Sequence, residues 1–362
     1  MDLRQTEYIL MISEEKSITK AAERLFVTQS ALNQQLGKLE AELGTPLFER
    51  TRSSWKLTAA GEIYVRMGKE MLRMRKNAYE EIRDLVDAKK REMHIGLIPE
   101  RGVDMFTALY PQFHAAFPDV IFEPEEMNVL TIQKRISAGK LDLGLCTLEP
   151  SQKDENTYHH MCTEEILLAV PSDLPELEAA LPHLAPAVSH TSSVAAAAGT
   201  SISSATASAG AHTASSTSVA ASRTSATTAN SQAEASPILS ASGMTDDAAL
   251  LQFFKNTPFI LMRDTSTLYE TELRLFQHAG FEPNGLFSTA SNLSKYRMVG
   301  AGMGCAFLPR TFARNNPAVT YIQLPSRPSW EVTICTQKGA YISRAEEYFL
   351  TLCKQYWDEK IK

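Results

Sequence analysis

Between Thr28 and Gln34 the sequence TQSALNQ gathers Thr28, Gln29, Ser30, Asn33 and Gln34 into two helical turns. Side-chain amides present a donor and an acceptor side by side, and hydroxyls can serve as either, which are the groups that pair with base edges in a DNA groove. Arg50, Arg52 and Lys56 follow, with Ser53 among them and no acid from Thr51 through Gly61. Cations in such a run hold phosphates and position a protein on a duplex. Taken alone, three basic residues in a loop describe an ordinary solvated turn, so their meaning depends on what carries them.

The carrier is a pair of short helices. Ile18, Ala21, Ala22 and Leu25 fall at helical spacing, a break follows at Phe26-Val27, and Ala31, Leu32, Leu36, Leu39 and Leu43 continue the pattern. Thr28-Gln29-Ser30 opens the second helix with a hydroxyl able to cap free N–H groups. This is helix-turn-helix geometry, in which the second helix lays its N-terminal residues in the major groove. An earlier helix over Arg4–Glu14, with Tyr8, Ile9, Met11 and Ile12, supplies an apolar back. The Thr51-Arg52-Ser53-Ser54 turn between extended segments reads as a wing.

At these residues the chain resembles a known family. The AAERL run, the TQSALNQQLGKLEAELG helix, the PLFER that follows and the LTAAG at Leu57–Gly61 are similar, in order and spacing, to the N-terminal winged helix-turn-helix of the LysR-type transcriptional regulators. A helix pair from an unrelated all-α domain would not be expected to carry all four. The resemblance implies double-stranded DNA as partner, DNA contacts from Thr28, Gln29, Ser30, Asn33, Gln34, Arg50, Arg52, Ser53 and Lys56, and RNA polymerase as a further partner if the protein activates.

Net charge is −6, yet residues 1–91 carry 17 Lys and Arg against 14 Asp and Glu, and the remainder 19 against 28. The DNA-facing part is therefore the basic part. From Thr58 a long helix runs with Tyr64, Met67, Met71, Met74, Ala78, Ile82 and Leu85 spaced three or four apart, nearly a heptad seam that needs a partner, which the spacing alone allows to be the chain's own later domain. The resemblance makes that partner a second copy, pairing through Met67, Met71, Met74 and Ala78 into a homodimer, with a homotetramer as the family's further assembly.

Beyond Arg91 strands and helices alternate. His94–Ile98, Val120–Glu125 and Leu141–Thr147 read as strands, with helices over Asp104–Phe117 and Val129–Ala138. This order implies a parallel sheet covered by helices, with ligands bound beyond the carboxyl ends of the strands. A second unit begins near Cys162 with the strand Ile166–Val170, resumes at Pro258–Met262 and continues into a helix from about Ser266 to Ala279. Strands at Leu286–Thr289, Cys305–Leu308, Thr320–Leu324 and Trp330–Thr336, a helix through Tyr296–Val299 and a closing helix over Ser343–Trp357 complete the chain. The resemblance makes this half a periplasmic-binding-protein-like effector domain of two α/β lobes. The expected domains are a winged helix-turn-helix over 1–58, a linker helix over 59–91, lobe I from 92–161 and 290–362, and lobe II over 162–289. From Ala187 to Ser236, 38 of 50 residues are Ala, Ser or Thr. Such a tract buries too little apolar surface to offset its ordering entropy, so 187–242 is expected to be a disordered insert, a departure from the family's short connection.

In MRDTSTLYETELRLF, Thr265, Ser266 and Thr267 crowd the first turn of a helix that follows a strand, where free N–H groups and the helix dipole favour an anion. An ordinary capped helix start has the same letters. The resemblance weighs toward function, because in the family this turn faces the interlobe cleft, opposite Pro99-Glu100 and Cys146-Thr147 and near Asn292. The expected effector is a small carboxylate metabolite held by Pro99, Glu100, Thr147, Thr265, Ser266, Thr267 and Asn292. The family often has a small hydroxyl residue at the end of the first strand; here Pro99-Glu100-Arg101 stands instead, which suits an effector that also bears an amine or hydroxyl.

Other classes fit less well. A length of 362 residues suggests two or three domains. No apolar run reaches membrane-span length, and the acids of MDLRQTEYILMISEEK interrupt any signal-like stretch, so no membrane partner and a cytoplasmic location are expected. Five scattered cysteines without C-x-x-C argue against a disulfide framework or a zinc site. Neither G-x-S-x-G, P-loop nor G-x-G-x-x-G occurs in its proper context, GAGMG at Gly300–Gly304 precedes a strand rather than following one, and the adjacent His159-His160 would point to opposite faces of a strand. No enzyme activity, cofactor or metal is therefore expected. A solute-binding protein with a helical head would need a secretion signal, and an enzyme with a DNA-binding head would need a reactive constellation. A redox-responsive regulator would need two close cysteines in the second lobe, where only Cys162 lies near.

Overall fold

The computed structural model describes residues 2–50, 55–86, 91–186, 238–241 and 243–361. These fall into two compact units, the first formed by 1–164, 263–270 and 329–361, the second by 165–262 and 271–328.

In the first unit, α1 (Leu3–Glu15) is opened by Asp2, whose carboxylate accepts from the Arg4 N–H at 3.2 Å. α2 (Ile18–Arg24) is capped by Ser17 and α3 (Gln29–Leu43) by Thr28, each accepting from the backbone three residues on. Ile9, Ile12, Ala21, Leu32, Leu36 and Leu39 meet in one buried core, which explains the apolar spacing of the sequence. Two short antiparallel strands follow, β1 (Phe48–Arg50) and β2 (Trp55–Leu57), flanking the expected wing turn, whose residues Thr51–Ser54 lie outside the described residues. Helix α4 (Ala59–Leu85) then runs 27 residues from an N-cap at Thr58. The LTAAG motif has a steric basis here. Thr58 Oγ1 accepts from the Gly61 N–H at 3.0 Å while donating to the Pro46 carbonyl at 2.8 Å. A Cβ on Gly61 would lie 2.1 Å from the Leu47 carbonyl oxygen, so no larger residue fits where α4 leaves the head.

The α/β part begins with β3 (Arg91–Leu97), α5 (Arg101–Ala116), β4 (Val120–Glu126), α6 (Val129–Ser137) and β5 (Leu143–Leu148). β3 pairs in parallel with both β4 and β5, as the alternation of elements implies. Every residue of β5 is buried, and Gly144 lets α6 approach closely: a Cβ there would stand 2.2 Å from the Ile132 side chain. The long strand β6 (Thr157–Pro171) carries the chain into the second unit.

There the elements are α7 (Pro175–Ala180), β7 (Ala185–Pro186), β8 (Ile238–Ser240), α8 (Asp247–Leu251), β9 (Pro258–Met262), α9 (Thr267–Ala279), β10 (Asn284–Thr289), α10 (Asn292–Gly300), β11 (Ala306–Pro309) and β12 (Val319–Gln323). The first turn of α9 clusters with the first unit. β11 and β12 both pair antiparallel with β6, β12 pairs in parallel with β8, β8 antiparallel with β7, and β9 with β10 form a separate parallel pair. The chain closes in the first unit with β13 (Ser329–Thr336) and α11 (Arg344–Ile361), giving the strand order β4-β3-β5-β13-β6.

Three expectations need correction. The sheet of the first unit is mixed, because β13 returns antiparallel to β5. Residues 290–328, expected in lobe I, cluster with the second unit, since β11 and β12 pair with residues 166–171 of β6. The insert expected over 187–242 reaches too far: Ile238–Ser240 form β8 against Tyr321–Gln323. Residues 187–237 and 242 lie outside the described residues, and so does the reading of them as disordered. No helix among the described residues is long and apolar enough to cross a membrane.

Candidate nucleic-acid interface and effector residues

Leu32 and Leu36 of α3 are wholly buried and Leu39 nearly so, which fixes the helix by its apolar face and turns the opposite face outward. Gln29, Ser30, Asn33 and Gln34 all lie on that exposed face, together with the cap residue Thr28. Thr28 Oγ1 accepts from the Ala31 N–H at 3.2 Å, so its hydroxyl serves the helix start. Gln29 Oε1 accepts from Thr19 Oγ1 at 3.3 Å, which ties α2 to the first turn of α3 and leaves the Gln29 amide N–H groups for a ligand.

The wing cations divide. Lys56 is exposed on β2, while Arg50 donates to Glu40 Oε2 at 2.7 Å and lies 5.0 Å from the Trp55 ring. Arg50 therefore fastens the β1-β2 ribbon to α3 in the free protein, a contact that competes with the phosphate role expected of it. Arg52 and Ser53 lie outside the described residues.

Phe26, passed over in the sequence as a break between helices, is 96% exposed with φ of 54°. Left-handed backbone ends α2 here: the Val27 N–H reaches the Ala22 carbonyl and the Phe26 N–H that of Glu23, bonds that usually place Gly or Asn at this position. Its ring is held in solvent just before the start of α3 in the chain. The clue was the large apolar residue just before a cap, where the helical pattern gives it no buried face.

Of the proposed seam residues on α4, Met67, Met74 and Ala78 are exposed and Met71 is half-buried, with Ile63, Tyr79, Ile82 and Leu85 also exposed. The polar side of the helix docks onto the α/β part of its own unit. Lys76 pairs with Asp142 at 2.9 Å, Asn77 Nδ2 donates to the Gly339 carbonyl at 2.8 Å, the Tyr341 N–H donates back to Asn77 Oδ1 at 2.9 Å, and the Arg344 N–H donates to Asp84 at 3.0 Å. Lys140 also pairs with Glu14 of α1.

Among the expected effector residues, Thr147 and Thr267 meet: Thr267 Oγ1 donates to the Thr147 carbonyl at 2.7 Å, and both residues are buried. Gln152 reinforces the joint, its Nε2 donating to the Thr267 carbonyl at 3.1 Å and to Glu270 at 2.7 Å. Ser266 Oγ accepts from the Leu268 N–H at 3.3 Å and the Ser266 carbonyl from the Tyr269 N–H at 3.1 Å. The hydroxyls of Ser266 and Thr267 thus serve their own helix start and its anchor on β5. Thr265 and Arg263 are exposed beside them. Pro99 is exposed; Glu100 is half-buried at φ of 64° and precedes α5 without capping it through its side chain. Asn292 belongs to the second unit as the first residue of α10, and its Oδ1 is buried without a hydrogen bond among the described residues.

Two buried ion pairs escaped sequence reading. Arg101 stands 2.6 Å from Glu164, an ion pair by distance without hydrogen-bond alignment, with Trp357 at 4.9 Å and Trp330 Nε1 donating to the same carboxylate at 2.8 Å. In the second unit Lys295 pairs with Glu272 and donates to the Phe307 carbonyl at 2.7 Å, while Glu272 accepts from the Met262 N–H at 2.8 Å. Burial pushes the Glu272 carboxyl up and the Lys295 ammonium down, each opposed by the other's charge.

All five cysteines are free and buried. Burial raises the thiols of Cys146, Cys305 and Cys353 and pushes Cys162 up to about 12, with the Glu164 carboxylate adding to it.

Comparison with known proteins adds a family. Residues 3–62 match the model described as "Bacterial regulatory helix-turn-helix protein, lysR family", and residues 87–195 with 244–358 match the "LysR substrate binding domain". Over 99% of this chain and 97% of the relative, the sequence is 27% identical to YcgK of Bacillus subtilis, described as an uncharacterized HTH-type transcriptional regulator. It is 30% identical to the Hca operon transcriptional activator HcaR of Escherichia coli over 48% of this chain and 58% of that one, and to the dual regulator OxyR of E. coli over 48% and 57%. A full-length OxyR variant from Pseudomonas aeruginosa has a similar fold, with a TM-score of 0.52 at 19% identity, covering 99% of this chain and 94% of that one.

Proposed function

The chain belongs to the LysR family of transcriptional regulators, a family of DNA-binding proteins and not of enzymes, and from that premise we propose how this member reads DNA and what it answers to. The carrying observation is the exposed polar face of α3, fixed from behind by Leu32 and Leu36. Gln29, Ser30, Asn33 and Gln34 read base edges, and Lys56 with Arg52 holds phosphates. Arg50 adds to this only where a phosphate competes with Glu40. Two copies pair through the exposed Met67, Met74 and Ala78 side of α4, so that two recognition helices address two half-sites.

The effector is a small carboxylate. Thr265 and the charge of Arg263, both exposed at the start of α9, support this reading, while Ser266 and Thr267 hold that turn in place. Glu100 favours an effector that also carries an amine or hydroxyl. Similarity to a hydrogen peroxide-inducible genes activator raises peroxide sensing as a rival, but all five thiols are buried, and burial raises those of Cys146, Cys162, Cys305 and Cys353, which leaves little of the thiolate such chemistry needs. Calorimetry of candidate acids against the wild type and Thr265→Ala tests the effector reading. Affinity should fall about tenfold in the variant, the loss of one charge-assisted hydrogen bond; undiminished affinity would move the site elsewhere.

A further inference from the structure

On the outer face of the first unit's sheet, His94 of β3 stands directly opposite Glu123 of the edge strand β4. Glu92 lies two residues before His94 and so points to the same face, while Met93 and Ile95 point into the core. The ligand atoms of Glu92, His94 and Glu123 all lie within 4.8 Å of one another, the one such group of metal-ligating side chains among the described residues. From their arrangement we propose that these three side chains form a surface site for one divalent transition-metal cation of the zinc class.

Three features of geometry and chemistry carry this. His94 Nε2 is 3.3 Å from Glu123 Oε2. Ligands at about 2.0–2.1 Å from a tetrahedral zinc ion are about 3.3 Å apart, so this pair already spans one edge of the coordination polyhedron. The other ring nitrogen, Nδ1, stands 3.5 Å from Asp142 Oδ2. A carboxylate on the far side of a ligating histidine fixes ring orientation and raises its basicity, and such outer partners recur behind metal-bound imidazoles. Asp142 is itself fixed, its carboxylate accepting from the His94 backbone N–H at 2.9 Å and from Lys76 at 2.9 Å. Lastly, one imidazole with two carboxylates suits Zn2+ and its neighbours better than Ca2+ or Mg2+, which favour all-oxygen shells. Glu92 closes the third position by a rotamer change of an exposed side chain, and water completes the set. The neighbouring Glu125 is occupied by Arg135 in a bidentate pair, which leaves Glu92 and Glu123 as the carboxylates for the ion. Because Asp142 also holds Lys76 of α4, the same carboxylate that orients the ligating ring anchors the linker helix, so a bound ion bears on that anchor.

No compact motif marks these ligands in the sequence, because they come from two strands separated by α5. Titration of the chelator-stripped full chain with Zn2+ alone, followed by Co2+ to read ligand-field absorption bands, tests the site. One equivalent should bind, with affinity at least tenfold weaker in Glu123→Gln and in Glu92→Gln, exposed positions whose neutralisation leaves the fold intact. Asp142→Asn should weaken binding about tenfold or more. His160→Gln, which alters an exposed imidazole bonded only to Thr163 Oγ1, should change nothing. Absence of binding, affinity unchanged in Glu123→Gln, or loss in His160→Gln would overturn the proposal and leave His94 and Glu123 as a simple cross-strand pair.

Discussion

Gln29 illustrates how a single side chain can serve two levels of the molecule. Its carbonyl end accepts from Thr19 and ties α2 to the first turn of α3, while its amide hydrogens are left for the base reading proposed above. Arg50 shows the opposite case: a residue whose type and position suggest phosphate is engaged by Glu40 and Trp55. His159 permits a pH test. Burial holds its pKa below the usual value, and Thr336 Oγ1 lies 3.1 Å from its Nε2. The unfolded chain therefore binds the proton more readily, so stability is fully present above the unfolded pKa of about 6.5 and falls as pH drops through that value toward the lower folded one. Thermal unfolding of wild type and His159→Gln between pH 7.5 and 5 should show a shallower decline in the variant; parallel curves would remove His159 as a source. The polar face of α3 was legible because hydroxyl, amide and apolar letters alternate at helical spacing. Arg101–Glu164 and Lys295–Glu272 were not, since a charged letter on an amphipathic helix looks the same whether its partner is water or a buried ion from a distant segment.

At the scale of elements, the caps at Ser17 and Thr58 were not singled out, and the close approach at Gly61 depends on the Leu47 carbonyl from another segment. The helix spacing of the head and the cap at Thr28 were legible, because they are local devices that leave local signatures. The antiparallel return of β13 left none, because strand direction is decided by a partner elsewhere in the chain. Helix α4 lies between these cases. Its apolar stripe was visible, yet its polar side turned out to bind the α/β part through Lys76, Asn77 and Asp84 instead of simply facing water. The stripe then remains for a partner. Met74, at 58% exposed, is the sharper probe than the half-buried Met71, because a charge there does not disturb the fold of its own chain. Met74→Glu should give a monomer by sedimentation velocity with unchanged circular dichroism. An oligomer indistinguishable from wild type would rule out the seam.

At the scale of the whole molecule, the order of segments was readable and their allegiance less so. The composition change at Ala187 marked the start of the Ala/Ser/Thr tract, but its far end was drawn past Ile238–Ser240, three residues too short and too ordinary to announce a strand without β12 beside them. Replacing residues 191–236 by a short Gly/Ser linker, with β8 kept, should leave the melting temperature and DNA affinity nearly unchanged, since loop closure costs only about 0.6 kcal/mol per doubling of length. A drop of several degrees would show that the tract packs against the fold.

The central claim, that this regulator reads base sequence with the first turns of α3 and holds phosphates with its wing, is tested most directly by one titration series. Fluorescence anisotropy would compare DNA from upstream of the gene with random DNA across a range of salt concentrations, for wild type, Gln29→Ala and Lys56→Ala. Wild type should prefer the upstream DNA; Gln29→Ala should lose much of that preference with the salt slope intact, and Lys56→Ala should weaken both DNAs alike and lower the slope by about one. Wild-type binding no tighter to upstream than to random DNA, or a Lys56→Ala variant with altered preference and an unchanged slope, would contradict the account.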